Sequence, residues 1–230
     1  METISLIDKF LRDEITLDIF RKKISNKPFV NKLVNDDMIK KYNGKFINAC
    51  FEKTTSFNKI SNTNQDTKLV IVGTITPPLC KADRYFYTSP NNKVYKIIDN
   101  YFGIECSSGK SLVKMKKKLS DCCTNYEKTK CIEDIKNILN EHKIAFIDVI
   151  DSVIRFKNSS DDRDIVLFSF DQKSFNKAKH VNNFICNSKN ACACFQENKF
   201  GETKKFYFCP QDQYHYKEQT WYDALNCCFR

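Results

Sequence analysis

The sequence predicts an α/β protein: a three-layer αβα sandwich with a central, mostly parallel four-stranded sheet, plus an N-terminal helical extension. From residue 67 onward, short apolar runs of strand length alternate with stretches of helical periodicity, which is typical of a parallel sheet covered by helices. Before residue 67 the apolar residues recur at helical spacing. We therefore expect residues 1–66 to form a helical extension and residues 67–230 to form the α/β domain.

Four apolar runs are predicted to form the sheet. The first run, 68–73, is continuous and ends in a glycine, as in a strand buried on both faces of a parallel sheet. The other predicted strands are 143–150, 181–186 and 204–209. The predicted helices lie within 4–20, 30–42, 132–142, 174–179, 189–196 and 216–228, and residues 164–170 are either helix or strand. The polar, turn-rich segment 56–67 is predicted to be a linker or a long loop.

Composition narrows the classes of function. The formal net charge is +10, from 38 basic and 28 acidic residues, and this surplus favours a polyanionic partner. The 12 cysteines are clustered and include no Cys-x-x-Cys pair. We therefore expect reduced, mostly buried thiols in a cytoplasmic or nucleoid-associated protein, with no disulfide framework and no metal site. No apolar run approaches the roughly 20 residues of a membrane span.

Polar and aromatic residues follow the predicted strands, at the end of a parallel sheet where ligands bind. The loop 73–78 combines one glycine with two prolines, and three aromatic residues at 85–87 precede Asn92. Asp148 lies in the otherwise apolar second run, and Asn187 follows the third. A buried carboxylate is costly unless it has a partner or a function, so these positions are candidate site residues.

Four segments in this order resemble the uracil-DNA glycosylase superfamily. They are Gly73-Thr-Ile-Thr-Pro-Pro78 with Tyr85-Phe-Tyr-x-x-Pro90-x-Asn92, then 143–155, then 184–191, and finally 209–221. The first is closest to the branch that excises hypoxanthine, in which an aromatic pair precedes a Pro-x-Asn segment. The resemblance covers residues 69–225 and implies a DNA glycosylase that uses neither a metal nor a cofactor.

The resemblance also implies roles for individual residues around a nucleotide flipped out of DNA. Asn92 would position or activate the attacking water, with Asp148 as the alternative. The residues that would line the base pocket are Thr74, Ile75, Phe86, Tyr87 and Asn187. The residues that would contact DNA are Pro78, Ser152, Arg155, Ser188, Lys189, Gln211 and His215.

Each of these features also has a structural interpretation. Asn92, Asn187 and Ser188 could cap helices, and the aromatic residues at 85–87 could belong to the core. Asp148 could be a buried acid paired with Arg155. The basic run 114–118 is either a solvated helix face or a contact to the DNA backbone.

Departures from the family pattern leave the excised base open. Tyr95 stands where the family has Trp, Ser188 stands where it has Gly, and the C-terminal loop is longer and bulkier. The leading hypothesis is a monomeric glycosylase that removes uracil, hypoxanthine or a hypermodified base from DNA, in repair or in defence against phage. The alternatives are an inactive glycosylase-like module that binds DNA or protein, and a hydrolase of free modified nucleosides.

Overall fold

The computed structural model describes residues 2–25, 51–55, 62–75, 85–89, 91–156, 162–197, 204–210 and 217–229. These residues form two compact units. The first unit holds the described residues within 1–56 and 150–171, and the second holds those within 57–76, 80–149 and 172–230. The predicted helix at 30–42 and the predicted DNA contacts Pro78, Gln211 and His215 lie outside the described residues.

Strands and helices alternate through most of the described chain. The strands are β1 (Phe51–Thr55), β2 (Leu69–Gly73), β3 (Ile144–Asp148), β4 (Ile150–Phe156), β5 (Ile165–Phe170), β6 (Asn183–Cys186) and β7 (Lys205–Phe208). The helices are α1 (Glu2–Leu11), α2 (Leu17–Ser25), α3 (Val94–Tyr101), α4 (Leu112–Asp121), α5 (Asn125–Glu141), α6 (Gln172–Ala178), α7 (Lys189–Glu197) and α8 (Glu218–Phe229). A 3₁₀ turn, Asp162–Asp164, precedes β5.

The second unit is built on a four-stranded sheet in the order β3-β2-β6-β7, with every pair parallel. All five residues of β2 and of β3 are buried, because side chains alternate between two covered faces. One face packs through Ile71 and Phe146 against α3, α4, α5 and α8. The other face is covered by α6 and α7, since the Phe195 ring of α7 lies 4.9 Å from Phe184 and 5.7 Å from Phe175. The predicted three-layer αβα sandwich is confirmed.

Helix α4 is tied to helix α3 at its N-terminus. The carboxylate of Asp99, only 2% exposed, accepts hydrogen bonds from Ser111 Oγ (2.8 Å), the Leu112 amide (3.0 Å) and the Val113 amide (3.0 Å). Ser111 Oγ in turn accepts from the Lys114 amide at 3.1 Å. The free amides of the first turn are thereby satisfied, and the two helices are held in a fixed relation.

The first unit contains a second sheet, which is antiparallel and has the order β1-β4-β5. Helices α1 and α2 pack on it around Phe20, which lies 4.9 Å from Phe10 and 6.2 Å from Phe156, centroid to centroid. Arg21 pairs with Asp164 at 3.1 Å. Residues 1–66 therefore contain a strand, β1, besides the expected helices, and the ambiguous segment 164–170 forms β5. The domain boundary at residue 66 remains a prediction.

The described cysteines are free thiols. In the described part of the chain, no helix is both long enough and apolar enough to cross a membrane.

Candidate active site at the carboxyl edge of the parallel sheet

The carboxyl ends of β2, β3 and β6 bring three predicted site residues to one edge of the sheet. Gly73 is paired with Asp148 in the strand register, and its carbonyl accepts from the Val149 amide at 2.9 Å. The backbone amide of Asn187 donates to the Val72 carbonyl at 3.1 Å. These backbone bonds continue the ladder one step beyond the strands, so they fix Asp148 and Asn187 beside the end of β2.

Asp148 and Tyr87 both lie against the backbone of Gly73. A Cβ atom built on Gly73 would lie 2.6 Å from Asp148 Oδ1 and 3.1 Å from Tyr87 Oη. Asp148 is 5% exposed. The glycine that ends β2 is therefore required for space, because any other side chain would displace the carboxylate, the phenol or both.

Tyr87 has a strained backbone conformation and a buried hydroxyl. Its backbone φ is +58°, in the left-handed region that is costly for a bulky residue. Its ring meets Phe146 edge to face at 4.9 Å, and its hydroxyl is buried with no hydrogen-bond partner among the described residues. Burial raises the pKa of Tyr87 well above its usual value, and the nearby Asp148 and Cys186 raise this pKa further. The phenol is thus a protonated donor at neutral pH.

Thr74, Asn187 and Ser188 form the opposite side of this edge. Thr74 Oγ1 and Ser188 Oγ are hydrogen bonded at 2.8 Å, and Ser188 Oγ accepts from the Ala191 amide at 3.0 Å. Ser188 therefore caps α7, as its structural interpretation predicted. Asn187 does not share that role: its Oδ1 is buried, and nothing in the described part of the chain hydrogen bonds to it.

Asn92 has a different setting from Asp148. Its Oδ1 accepts from the Val94 amide at 2.9 Å, which is a helix-starting contact at α3. Its backbone carbonyl accepts from Lys116 Nζ at 3.0 Å. The half-buried Asn92 side chain lines a cavity between α3 and α4. The two residues predicted as alternatives for the water thus stand on different elements.

The remaining predicted residues divide between core and surface. Phe86 is 2% exposed and packs on Tyr85 (5.4 Å) and Phe146 (5.8 Å), so Tyr87 is the aromatic residue at the edge. Ile75, 6% exposed, follows Thr74. Lys189 is exposed at the first position of α7.

Two predicted DNA contacts belong to strand β4 of the first unit. Arg155 is fully buried and Ser152 is 8% exposed, with Ser152 Oγ hydrogen bonded to Ser169 Oγ at 2.7 Å. The sequence places both residues after the second strand of the parallel sheet, whereas they stand within a strand of the antiparallel sheet. Their burial favours a role in packing.

A thiol pair next to this edge was not predicted. Cys186, which ends β6, hydrogen bonds to Cys192 of α7; this bond lowers the pKa of Cys192 to about 7, against the opposing effect of burial, and raises the pKa of Cys186. The sequence gives no sign of the pairing, because residues 186 and 192 have neither a metal-ligand nor a redox-motif spacing. Within the described residues, no group of three or more His, Cys, Asp or Glu side chains could hold a metal ion.

Together these groups offer complementary chemistry at one edge of the sheet. Asp148 supplies an acceptor for a proton or for a water, Tyr87 supplies a donor and an aromatic ring, and Asn187 supplies a buried carbonyl. Two of these groups lack hydrogen bonds to the described residues, and buried polar groups in that state are typical of sites that bind a ligand or a water.

Comparison with known proteins supports this fold. No protein-family model matches the chain, and no curated protein matches it in sequence. A solution NMR structure of a protein from Methanosarcina acetivorans, titled a "putative Uracil DNA glycosylase", superposes with a TM-score of 0.53 at 13% sequence identity. The match covers 78% of this chain and 100% of that protein. The chain thus shares a fold with a protein of that description.

Proposed function

We propose that this protein is a monofunctional DNA glycosylase that hydrolyses the N-glycosidic bond of a deaminated or modified base. The observation that carries the proposal is the buried carboxylate of Asp148 beside Gly73 and the Tyr87 hydroxyl, at the carboxyl edge of the parallel sheet. The fold shared with the M. acetivorans protein supports it, and so do the ordered motifs and the basic net charge.

The proposed reaction needs only water and the residues of this edge. After the nucleotide is flipped out, the bond between C1′ and the base nitrogen breaks, and its electron pair leaves with the base. Water adds to the resulting oxocarbenium-like carbon and gives one proton to Asp148, so that a sugar hydroxyl remains at the abasic site. The departing base takes up a proton, and the Asp148 proton returns to solvent. Such a positioned base contributes about 10²- to 10⁴-fold.

Tyr87 and Asn187 are proposed to hold the base. The Tyr87 ring offers a stacking surface, and its hydroxyl can donate to the negative charge that develops on the leaving base. The Asn187 carbonyl can accept from a ring N–H or an exocyclic amine, which would favour bases that carry such a donor. Thr74 and Ile75 would supply backbone groups to the same pocket.

Asn92 is proposed as the alternative residue for the water, on the strength of the family resemblance. A carboxamide can orient a water but cannot accept its proton, so this role would be positioning alone. Loss of activity in Asp148→Asn together with near-normal activity in Asn92→Ala would assign the water to Asp148. The reverse pattern would assign it to Asn92.

The experiment uses duplexes that carry uracil, hypoxanthine, xanthine or a hypermodified cytosine, followed by alkali to cleave abasic sites. The wild-type chain is expected to generate cleaved product from at least one duplex, and Asp148→Asn is expected to lose about 10²- to 10⁴-fold in rate. Asp121→Asn, at the exposed end of α4, is the matched control and should keep full activity.

Two other outcomes would favour the alternatives. If every duplex is bound and none is cleaved, the chain is a DNA-binding module with a glycosylase-like fold. If free nucleosides release their base while duplexes do not, it is a nucleoside hydrolase. We further propose that the enzyme acts as a cytoplasmic monomer without a metal or cofactor, and that it serves repair or the removal of foreign modified bases.

A further inference from the structure

A cavity of about 490 Å³ lies between α3 and α4, and its lining combines apolar surface with lysine side chains. Four of its lining residues are lysines, and none is acidic: Lys93, Lys96, Lys116 and Lys117 stand around Val113, Tyr95 and a set of polar side chains. Its volume falls in the range of small-ligand sites, roughly 300–1,000 Å³.

The walls of this cavity are fixed before any ligand arrives. Asp99 of α3 binds the first turn of α4 through three hydrogen bonds of 2.8 to 3.0 Å. Lys116 of α4 donates to the Asn92 carbonyl at 3.0 Å, so it joins α4 to the loop before α3. A preorganised site of this kind avoids much of the ordering cost of binding.

Two lysines of the cavity, Lys96 and Lys117, differ from nearby lysines on α4, on α5 and in the loop before α4. Lys118 pairs with Asp134 at 3.8 Å, Lys136 pairs with Glu133 at 2.6 Å, and Lys110 pairs with Glu141 at 2.6 Å. Neither Lys96 nor Lys117 forms an ion pair with another described residue.

The carboxylate of Glu218, which lies outside the lining, interacts with two lysines of the cavity. The pKa of Glu218 is lowered mainly by its hydrogen bonds with Tyr222 and Asn100, and further by Lys96 and Lys93. Lys96 and Lys93 are therefore close enough to attract a carboxylate, as they would attract an anionic ligand.

The polar groups of the lining are suited to an anion. The Asn92 Oδ1 atom accepts a hydrogen bond from the Val94 backbone amide. The Nδ2 atom of Asn92 can therefore donate to a ligand. The lysine ammonium groups act as compact point charges toward phosphate. The cavity has more lysines than a ligand with one carboxylate would need. Its volume is larger than that of a single phosphate, so a sugar would fit beside Val113.

We infer that this cavity binds the phosphate of a nucleotide, in a DNA strand or free in solution. The DNA source deepens the proposed function, and rests on it, by adding a strand contact separate from the carboxyl edge. It also gives Lys116 and Lys117 of the basic run 114–118 a specific role in place of a general solvated face.

The first test measures binding of an unmodified duplex by fluorescence anisotropy across a salt series. The Lys96→Gln/Lys117→Gln variant is expected to bind about tenfold more weakly, and the slope of log K against log salt should fall by roughly two, since each phosphate contact contributes about 0.9. Lys114→Gln/Lys130→Gln removes the same charge from exposed positions outside the lining and should change both quantities much less. Equal losses in the two variants would overturn the inference.

The second test fills the cavity without changing charge. Val113→Trp is expected to weaken DNA binding at least threefold while circular dichroism and thermal unfolding show a folded chain; unchanged binding in that folded variant would also overturn the inference. Thymidine 5′-monophosphate and thymidine are then titrated against the wild-type chain. Binding of the monophosphate that Val113→Trp abolishes identifies free nucleotide as a ligand, and binding of DNA alone identifies the strand backbone.

These readouts are independent of the glycosylase proposal. An unmodified duplex and a mononucleotide need no chemistry, so binding can succeed when every abasic-site assay fails. Conversely, base excision that survives Lys96→Gln/Lys117→Gln at saturating enzyme, with wild-type DNA affinity, would leave the proposed function standing and remove the cavity from it.

Discussion

The Asp148 carboxylate and the Tyr87 hydroxyl converge on the Cα of Gly73, at 2.6 and 3.1 Å from the position that a Cβ atom would occupy. This relationship joins three chain segments that are distant in sequence: the end of β2, the turn before α3 and the end of β3. The glycine, the strained tyrosine and the buried acid are packed together, so a change in one is expected to affect the others.

Gly73→Ala is expected to disrupt the packing of Asp148 and Tyr87 against Gly73. The added methyl group overlaps Asp148 Oδ1, and relief requires movement of a buried carboxylate or of a ring packed on Phe146. We expect a loss of about 1–3 kcal/mol in the free energy of unfolding, as for other overpacked sites, together with loss of base excision. Chemical denaturation and the abasic-site assay measure the two effects.

Gly109→Ala is the control for that substitution. Its built Cβ meets no atom within 4 Å, so the change should stay within about 0.5 kcal/mol. Equal effects of the two alanines would show that the close approach at Gly73 has no consequence.

Tyr87→Phe is expected to separate stability from activity. The substitution removes a buried hydroxyl that has no hydrogen bond to any described residue, so the free energy of unfolding should be unchanged or should rise by about 1 kcal/mol. Base excision should fall, because the donor toward the leaving base is lost. Parallel denaturation and single-turnover measurements test this opposition.

Tyr95→Phe provides the matched comparison. The Tyr95 hydroxyl is buried and donates to the Phe86 carbonyl at 2.8 Å, so its removal leaves an acceptor without its partner. We expect this variant to lose about 1–3 kcal/mol of stability. If Tyr87→Phe is destabilised to the same extent, the Tyr87 hydroxyl has a partner in the folded chain and the site as described is incorrect.

The parallel sheet and its carboxyl edge could be predicted because β2 and β3 lie in almost continuous apolar runs. Strands buried on both faces have that signature, and parallel strands end at one edge, so Gly73, Asp148 and Asn187 had to lie together. The antiparallel sheet escaped prediction because Val149 alone separates β3 from β4, with no turn signal between them. Ser152 and Arg155 therefore read as loop residues, although they belong to β4.

Backbone conformation and contacts between distant residues are the other features that could not be predicted from the sequence. Nothing in the residues 85–87 indicates that Tyr87 adopts φ +58° while Phe86 turns into the core. Nor does the sequence show that Asp99 caps α4, since a pair at positions 99 and 111 depends on how two helices pack. Local patterns specify elements well, whereas the choice of which side chain faces the site is made by packing.

Asp99→Ala is expected to loosen α4 from α3. The substitution removes the acceptor of three hydrogen bonds, including two backbone amides of the first turn of α4. A lost cap costs roughly 0.5–2 kcal/mol, and buried donors left unsatisfied add about 1–3 kcal/mol, so we expect a loss of about 2–4 kcal/mol in the free energy of unfolding. Amide hydrogen exchange should quicken first in the opening turn of α4. Unchanged protection there would contradict the role of Asp99.

Cys192 is expected to react with iodoacetamide at a lower pH than an ordinary cysteine. The thiolate is the reactive form, and the hydrogen bond from Cys186 holds the pKa of Cys192 at about 7. The alkylation rate should therefore rise as the pH passes through about 7, well below the value near 8.5 of a free cysteine. Cys186→Ala removes the donor to the thiolate, so the midpoint should move upward. Mass spectrometry of the peptide that contains residue 192 gives the rate at each pH, and an unmoved midpoint in Cys186→Ala would show that another group stabilises the thiolate.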